Sequence, residues 1–357
     1  MQLRLLNLGL VSPLYSQAVY HGLASNMQAH DLPVLILVRP DQAYISVGLH
    51  QDIEKEIDID YCQRNNLQII RRHVGGGSVL LDENQLFFQF VFPSKLLPNK
   101  PAEIYTRLLQ PVLHCFQSMG IAAYSQSLND IQVNAKKIAG TGAATIDNAN
   151  VLVGGFLFDF NCAQMAACIN APSEAFKHTF AELMRNRMTS IRQEKPSLMN
   201  EKDIIQFLKK HIETDLSLTV VDSRLNHNEQ QAIQQAEQEL LSDEWTFMEG
   251  RKLVSNGIKI SAGLYLLENQ FDWMKNDISI RVIFHNKHIE KIWLESDVKQ
   301  SQLTKLCQVI NQNQPAINKP AILKLLQDQL ENRSDIPAHE IEALTSHIYQ
   351  LANIDEY

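Results

Sequence analysis

Three consecutive glycines, Gly75, Gly76 and Gly77, entered through Arg71-Arg72-His73-Val74 and left through Ser78-Val79-Leu80-Leu81-Asp82, are the strongest constraint in this chain. Such a run costs backbone entropy, so it belongs where the chain takes positive φ or where a ligand approaches main-chain N–H groups with no Cβ in the way. The paired guanidiniums are permanent, forked donors suited to a carboxylate or a phosphate. Taken alone, the segment reads equally as a tight hairpin turn or as an anion-binding turn, and the flanks decide between them. Residues 43–48, 67–71 and 85–92 carry the apolar, β-branched and aromatic character of strands, with a helix expected over 57–65. The glycines therefore sit inside a sheet.

Elsewhere the chain mixes helices and strands. Ser12-Pro13 starts a helix that continues through Tyr15, Ala18, Val19 and Leu23, and a buried strand follows over 32–40. Ile104, Leu108, Val112, Cys115 and Phe116 share one helical face. A second glycine-bearing segment, with Lys136, Lys137, Gly140 and Gly142, precedes a buried strand over 151–160. Beyond residue 174 the pattern is helical and polar, and the Gln/Glu-rich stretch 226–241 reads as a solvated surface helix. After Trp245 the composition changes. Residues 278–284 and 289–294 make a hairpin around 285–288, and helical stripes follow at Leu303, Leu306, Cys307 and Ile310, over 320–330, and at Ile341, Leu344, Ile348 and Leu351 after Asp335-Ile336-Pro337. The absence of strict βαβ alternation favours an α+β fold over a doubly wound one. A large domain over 1–243, a small α+β module over 244–332 and a closing helix over 333–357 are expected.

Composition excludes several functions. A formal charge of −8 argues against a nucleic-acid partner, and 45% hydrophobic residues suit a core of ordinary size. No run approaches about 18 apolar residues and no secretory signal opens the sequence, so a cytoplasmic protein with no membrane partner is expected. Cys62, Cys115, Cys162, Cys168 and Cys307 include no Cys-x-x-Cys pair, and His73, His178, His285 and His288 have no ligand spacing. Free thiols and no metal site built by the protein alone are expected. No Walker A or His-Glu-x-x-His motif is present.

Arg71, Arg72 and the triple glycine on one side, and Lys136, Lys137, Gly140 and Gly142 on the other, would suit a site for both a carboxylate and a nucleotide α-phosphate. A lysine held against the phosphate oxygens would stabilise the charge that gathers there when an acyl-adenylate forms.

These residues carry a resemblance. Gly48-Leu49-His50-Gln51, Arg71-Arg72-x-x-Gly75-Gly76-Gly77-x-Val79-x-x-Asp82, Asn129-Asp130, Lys137-Ile138-Ala139-Gly140 and Gly155-Phe156-Leu157-Phe158 resemble, in order and spacing over residues 1–195, the lipoate-protein ligase A family. The resemblance implies a biotin/lipoate ligase-type mixed sheet with packed helices, followed by a small α+β accessory domain. The implied activity takes ATP and Mg2+, converts lipoate to lipoyl-AMP, and transfers the acyl group to a lysine of a lipoyl carrier domain. By position, Lys137 is the catalytic lysine. Arg72, Gly75, Gly76, Gly77, Val79, Gly140 and Gly155 would border the lipoyl and adenylate groups, and Asn129 and Asp130 would lie near the phosphates and the magnesium that arrives with them. Asp82 is either a strand-end cap or a ligand. A monomer is expected, with residues 226–250 as a hinge between its domains.

Two departures leave the acyl acid open between lipoate and octanoate. Bacterial members commonly show Gly-Arg-Asn-Gln where this chain has Gly48-Leu49-His50-Gln51, and His-His-Gly-Thr-Leu-Leu where it has Leu152-Val153-Gly154-Gly155-Phe156-Leu157. The rival readings are an octanoyl or lipoyl transferase acting from acyl carrier protein through a thioester on Cys162, and a non-catalytic subunit that binds lipoyl domains. The usual state of a cysteine just past a strand, a packed free thiol, counts against the first.

Overall fold

The computed structural model describes residues 1–98, 100–195, 200–252, 254–261, 263–297, 300–330 and 336–352. Residues 331–335, where the closing helix was expected to begin, lie outside the described residues. The chain forms two compact units, one of residues 1–170 and 181–251, the other of residues 171–180 and those from 252 onward.

Among the described residues the first unit holds eleven strands: β1 (Gln2–Val11), β2 (Val34–Pro40), β3 (Tyr44–Val47), β4 (Gln68–Arg71), β5 (Val79–Leu81), β6 (Gln85–Pro93), β7 (Tyr124–Ser127), β8 (Asp130–Val133), β9 (Lys136–Ile146), β10 (Ala149–Leu157) and β11 (Thr219–Asp222). Eight of them make one mixed sheet in the order β11-β1-β2-β6-β10-β9-β8-β7, and β4-β3-β5 make a small second sheet. β1 runs parallel to β2 and β11, and the remaining neighbours in the large sheet are antiparallel. β6 is buried along its whole length because both faces of the sheet are covered. Leu86, Phe88, Phe90 and Phe92 join the helices Pro101–Ser118 and Glu201–Leu216 in one core, whereas Phe87 and Val91 join the helix Pro13–Asn26 in another. The α+β expectation holds, and β1 and β9 are strands that the sequence pattern did not reveal.

The polar stretch 226–241 is more than a solvated face. The helix His227–Leu241 opens on a capping box between Asn226 and Glu229, and Glu229 also pairs with Arg4 on β1. It buries Ile233, Ala236 and Leu240 against the helix Pro13–Asn26. With Thr246 and Met248 accepting hydrogen bonds from Arg71, residues 226–250 are built into the first unit and do not form a free hinge.

The second unit is an antiparallel sheet of β12 (Gly257–Ser261), β13 (Leu264–Trp273), β14 (Asn276–His285) and β15 (His288–Glu295), in that order. Asn286 and Lys287 take φ of 49° and 65°, the geometry that a two-residue hairpin turn requires. Its core includes Leu303, Leu306 and Ile310 of the helix Gln300–Asn313, Ile322 and Leu326 of Lys319–Leu330, and Leu344 and Ile348 of Ala338–Ala352. Among the described residues no helix is long and apolar enough to cross a membrane.

One contact tests the packing of the first unit. A Cβ on Gly22 would lie 2.5–2.7 Å from backbone atoms of Ala232 and Ile233, where no side chain can yield. Alanine would gain about 1 kcal/mol of helix propensity, but overpacking costs about 1–3 kcal/mol, and backbone against backbone takes the upper end. Gly22→Ala is therefore expected to lose about 1–2 kcal/mol of stability net, read as a lower urea midpoint; an unchanged or raised midpoint would refute the close approach.

Candidate active site

The glycine loop is held from beneath by Arg72. One terminal nitrogen donates to the Ser46 carbonyl at 2.8 Å, and the other donates to the Gly75 and Gly77 carbonyls at 2.9 and 2.8 Å. Arg71 likewise donates to the Leu49 and Gln51 carbonyls at 2.7 Å each, and to Thr246 at 3.0 Å. The sequence offered these guanidiniums as direct ligands for an anion; the structure instead buries both and commits them to main-chain carbonyls. The consequence falls on the loop. The Gly75 and Gly77 carbonyls are occupied, whereas among the described residues the N–H groups of Gly75, Gly76 and Gly77 donate to no protein acceptor. Gly76 takes φ +99°, and a Cβ on Gly75 or Gly77 would meet nothing within 4 Å. The loop is an exposed set of unpaired donors, the backbone form of an anion site.

Two further residues secure it. A Cβ on Gly48 would lie 2.0 Å from the Gly76 carbonyl oxygen, so only glycine fits there. Gln51 Oε1 accepts from the Gly48 N–H and the Ser78 hydroxyl, both at 3.0 Å, tying the two loops together. The Gly48–Gln51 run was part of the resemblance, but nothing in the sequence showed that it props the triple glycine.

β9 and β10 pass beside the loop with their side chains removed. Gly142 pairs with Val153, and a Cβ on Gly142 would touch Val74 at 3.2 Å and lie 3.6 Å from the Gly75 oxygen. Alternate residues of a strand share a face, so Gly140 and, on β10, Gly155 lie on that same side. At Gly140 the vacant space is used: an added Cβ would fall 2.6 Å from Lys137 Cε and 2.8 Å from its Nζ. That accounts for the Lys-x-x-Gly spacing. The Lys137 ammonium rests over Gly140 and contacts Asp130 Oδ1 at 2.7 Å, with 33% of the lysine side chain and 8% of the aspartate side chain exposed. The contact is a charge pair without hydrogen-bond alignment, and among the described residues this buried oxygen has no hydrogen-bond partner. The Lys137 carbonyl accepts from the Thr189 N–H at 2.9 Å, which fixes the strand end that carries the lysine.

The other expected residues divide. Asn129 is exposed and its carbonyl takes both the N–H and the hydroxyl of Thr141, at 3.1 and 2.8 Å. Val79 starts β5 directly after the loop and is 37% exposed. Asp82 accepts from the Asn84 N–H at 2.9 Å and acts as a turn cap. Cys162 lines a cavity of about 400 Å³ with Arg185, Met188, Thr189 and Gln193. Burial raises its thiol pKa against the opposing pull of Arg185, and among the described residues the sulfur has no hydrogen bond to a base. That is a poor setting for a thiolate nucleophile.

The model of the lipoyl protein ligase A/B catalytic domain matches residues 12–213. Lipoate-protein ligase A subunit 1 of Thermoplasma acidophilum is 26% identical over 187 residues, 50% of this chain and 69% of that protein. Octanoyltransferase LipM of Bacillus subtilis is 24% identical over 274 residues, 68% of this chain and 97% of that protein. Matches to three further curated lipoate-protein ligases span between 62% and 64% of their lengths. Among solved structures, the bipartite lipoate protein ligase of Thermoplasma acidophilum, described with its E2 lipoyl domain, superposes with a TM-score of 0.65 at 23% identity, covering 71% of this chain and 98% of that one. Lipoate-protein ligase A bound with ATP gives 0.60 at 20% identity, covering 70% and 100%. At these identities the structures establish the fold.

Behind the loop, the His21 and His73 rings meet at a tilt of 55° with centroids 3.8 Å apart, His73 meets Trp245 at a tilt of 41° and 4.3 Å, and the His73 N–H donates to His21 Nε2 at 3.1 Å. Burial, reinforced by His73, holds His21 well below its ordinary titration, and burial lowers His73 to about 4. The unfolded chain takes up these protons below about pH 6.5 and the folded chain resists them. Their contribution is thus complete above that pH and is lost as the pH falls toward and through about 4. The urea midpoint is expected to drop between about pH 7 and about pH 5, and His73→Phe, which keeps a ring but cannot titrate, should drop less; equal slopes for the two proteins would contradict this.

Proposed function

This chain belongs to the lipoyl protein ligase A/B catalytic family, and from that premise we propose that it is an ATP-dependent lipoate-protein ligase. The observation that carries the reading is the Lys137 ammonium, laid over Gly140 beside a loop of unpaired N–H groups. A carboxylate oxygen of the acyl acid attacks the α-phosphorus of ATP and pyrophosphate leaves. The amine of a carrier lysine then attacks the acyl carbonyl, AMP leaves, and the amine proton passes to solvent. Both steps gather negative charge on oxygens, so fixed donors and a cation lower their barriers without exchanging a proton with the substrate.

The loop N–H groups would hold anionic oxygens, and Lys137 would leave Asp130 to bridge the carboxylate and the α-phosphate. Magnesium would enter with the nucleotide, keeping most of its water and neutralising phosphate charge. Asp130, with a buried oxygen that lacks a hydrogen bond, and Asn129 are oxygen donors of the type it takes. The ATP-bound ligase and the ligase described with an E2 lipoyl domain share this fold, which supports ATP as co-substrate and a lipoyl carrier domain as acceptor.

The octanoyltransferase relative, matched over 97% of its length, keeps a transferase as the second reading. That chemistry needs a thiolate, and burial opposes one at Cys162. A single assay separates the two: acyl-AMP and pyrophosphate formation from Mg-ATP with lipoate or octanoate, before any acceptor is added. Lys137→Ala is expected to lower the rate about 10²–10³-fold with its fold intact. Gly140→Ala should leave thermal stability unchanged while slowing adenylation, because its methyl displaces only the lysine tip. Cys162→Ser should be neutral. No adenylate, together with octanoyl transfer from acyl carrier protein onto Cys162, would replace the ligase with the transferase.

A further inference from the structure

A second cluster of chemically competent side chains lies away from the glycine loop, where the helices Pro101–Ser118 and Glu201–Leu216 pack through Leu108, Val112, Cys115, Ile204, Leu208 and Ile212. His211 and Asp215 are four residues apart on one helix and so share a face. His114 approaches from the other helix, with its Nδ1 2.7 Å from Asp215 Oδ2. A nitrogen from each imidazole and a carboxylate oxygen all lie within 4.8 Å of one another. We infer that His114, His211 and Asp215 form a binding site for a zinc-type divalent transition metal, which would cross-link the two helices.

The donor set fits that class. Two imidazoles and one carboxylate suit zinc and its neighbours better than magnesium or calcium, and three protein ligands at a half-exposed position leave a coordination site for water. The surroundings orient the ligands. Gln110 Nε2 sits 2.7 Å from His114 Nε2, and Ser118 Oγ sits 2.7 Å from His211 Nε2, each able to set a ring's angle and tautomer.

The other histidine group, His21, His73 and Glu239, is less suited: His21 Nε2 already accepts from the His73 main chain, and burial opposes added charge there. This proposal departs from the expectation that the protein builds no metal site. The sequence basis of that expectation was spacing, and these ligands come from helices about a hundred residues apart, with His114 and Asp215 separated by 101.

The test is titration of Zn2+ and Co2+ into tag-free, chelator-stripped protein, followed by calorimetry and by the visible spectrum of the cobalt form. One equivalent is expected, with d–d bands, no thiolate charge-transfer band, and a rise in Tm with zinc. Asp215→Asn and His211→Gln, checked for folding by circular dichroism, should each weaken binding at least about tenfold and abolish the Tm rise, whereas His73→Phe should change neither. Undetectable binding, a thiolate band from the free cysteines, or binding that survives both ligand substitutions would overturn the site.

Discussion

The site depends on a buried guanidinium that has no acid to pair with. Arg72 is 8% exposed and, among the described residues, meets only carbonyl and hydroxyl oxygens. Burying a cation without a carboxylate is costly, and here the neutral oxygens of Ser46, Gly75 and Gly77 offset the lost hydration. Two results follow together. The loop is fixed with its carbonyls inward, and the positive charge beneath it is left uncompensated. Arg71 repeats the arrangement one residue earlier, gripping the 48–51 loop that props Gly76. Rigid donors and unbalanced charge are what an anion-stabilising site requires before its ligand arrives.

The sheet supplies the other half. β6 is covered on both faces, so its neighbour β10 is held firmly, and β10 aligns β9 through consecutive pairs from Ala149↔Ile146 to Gly154↔Thr141. That register places Gly140, Gly142 and Gly155 on the face toward the loop. Glycine usually weakens a strand interior, and in β9 and β10 the loss is tolerated because the flanking pairs are long and buried. The gap that the missing side chains leave is where Lys137 lies. Precision at the ammonium comes from regular structure, since the lysine sits at the start of a strand and its own carbonyl is tied down by Thr189.

Much of this was legible in the sequence, for identifiable reasons. The β6 run Gln85-Leu86-Phe87-Phe88 and the capped helix after Ser12 carry strong local patterns, and the glycine block with its arginines announced a backbone shaped for a ligand. What remained hidden was longer in range. β9 was not legible as a strand because its glycines obscure a pattern that its pairing partners enforce. The direction of Arg72 could not be read either, since an arginine beside glycines serves equally well by touching a ligand or by holding the turn. The helix His227–Leu241 looked solvated because its buried apolar face is only three residues, Ile233, Ala236 and Leu240, and the surface that receives it lies some two hundred residues upstream.

The charge around the glycine loop supports the proposed adenylation over thioester chemistry. Around the loop stand Arg71, Arg72 and Lys137, and Asp130 alone pairs with one of them among the described residues, in a chain whose formal charge is −8. A local excess of cations against an acidic background is useful only when the bound species is more negative than the site is positive. A carboxylate together with a triphosphate meets that condition, and an acyl thioester, which is neutral at its reacting carbon, does not. A thioester route would instead need positive charge near Cys162 to favour its thiolate. Arg185 pulls in that direction, but burial dominates and the thiol pKa is raised. The electrostatic investment of the fold lies at the glycine loop, where phosphate chemistry can use it.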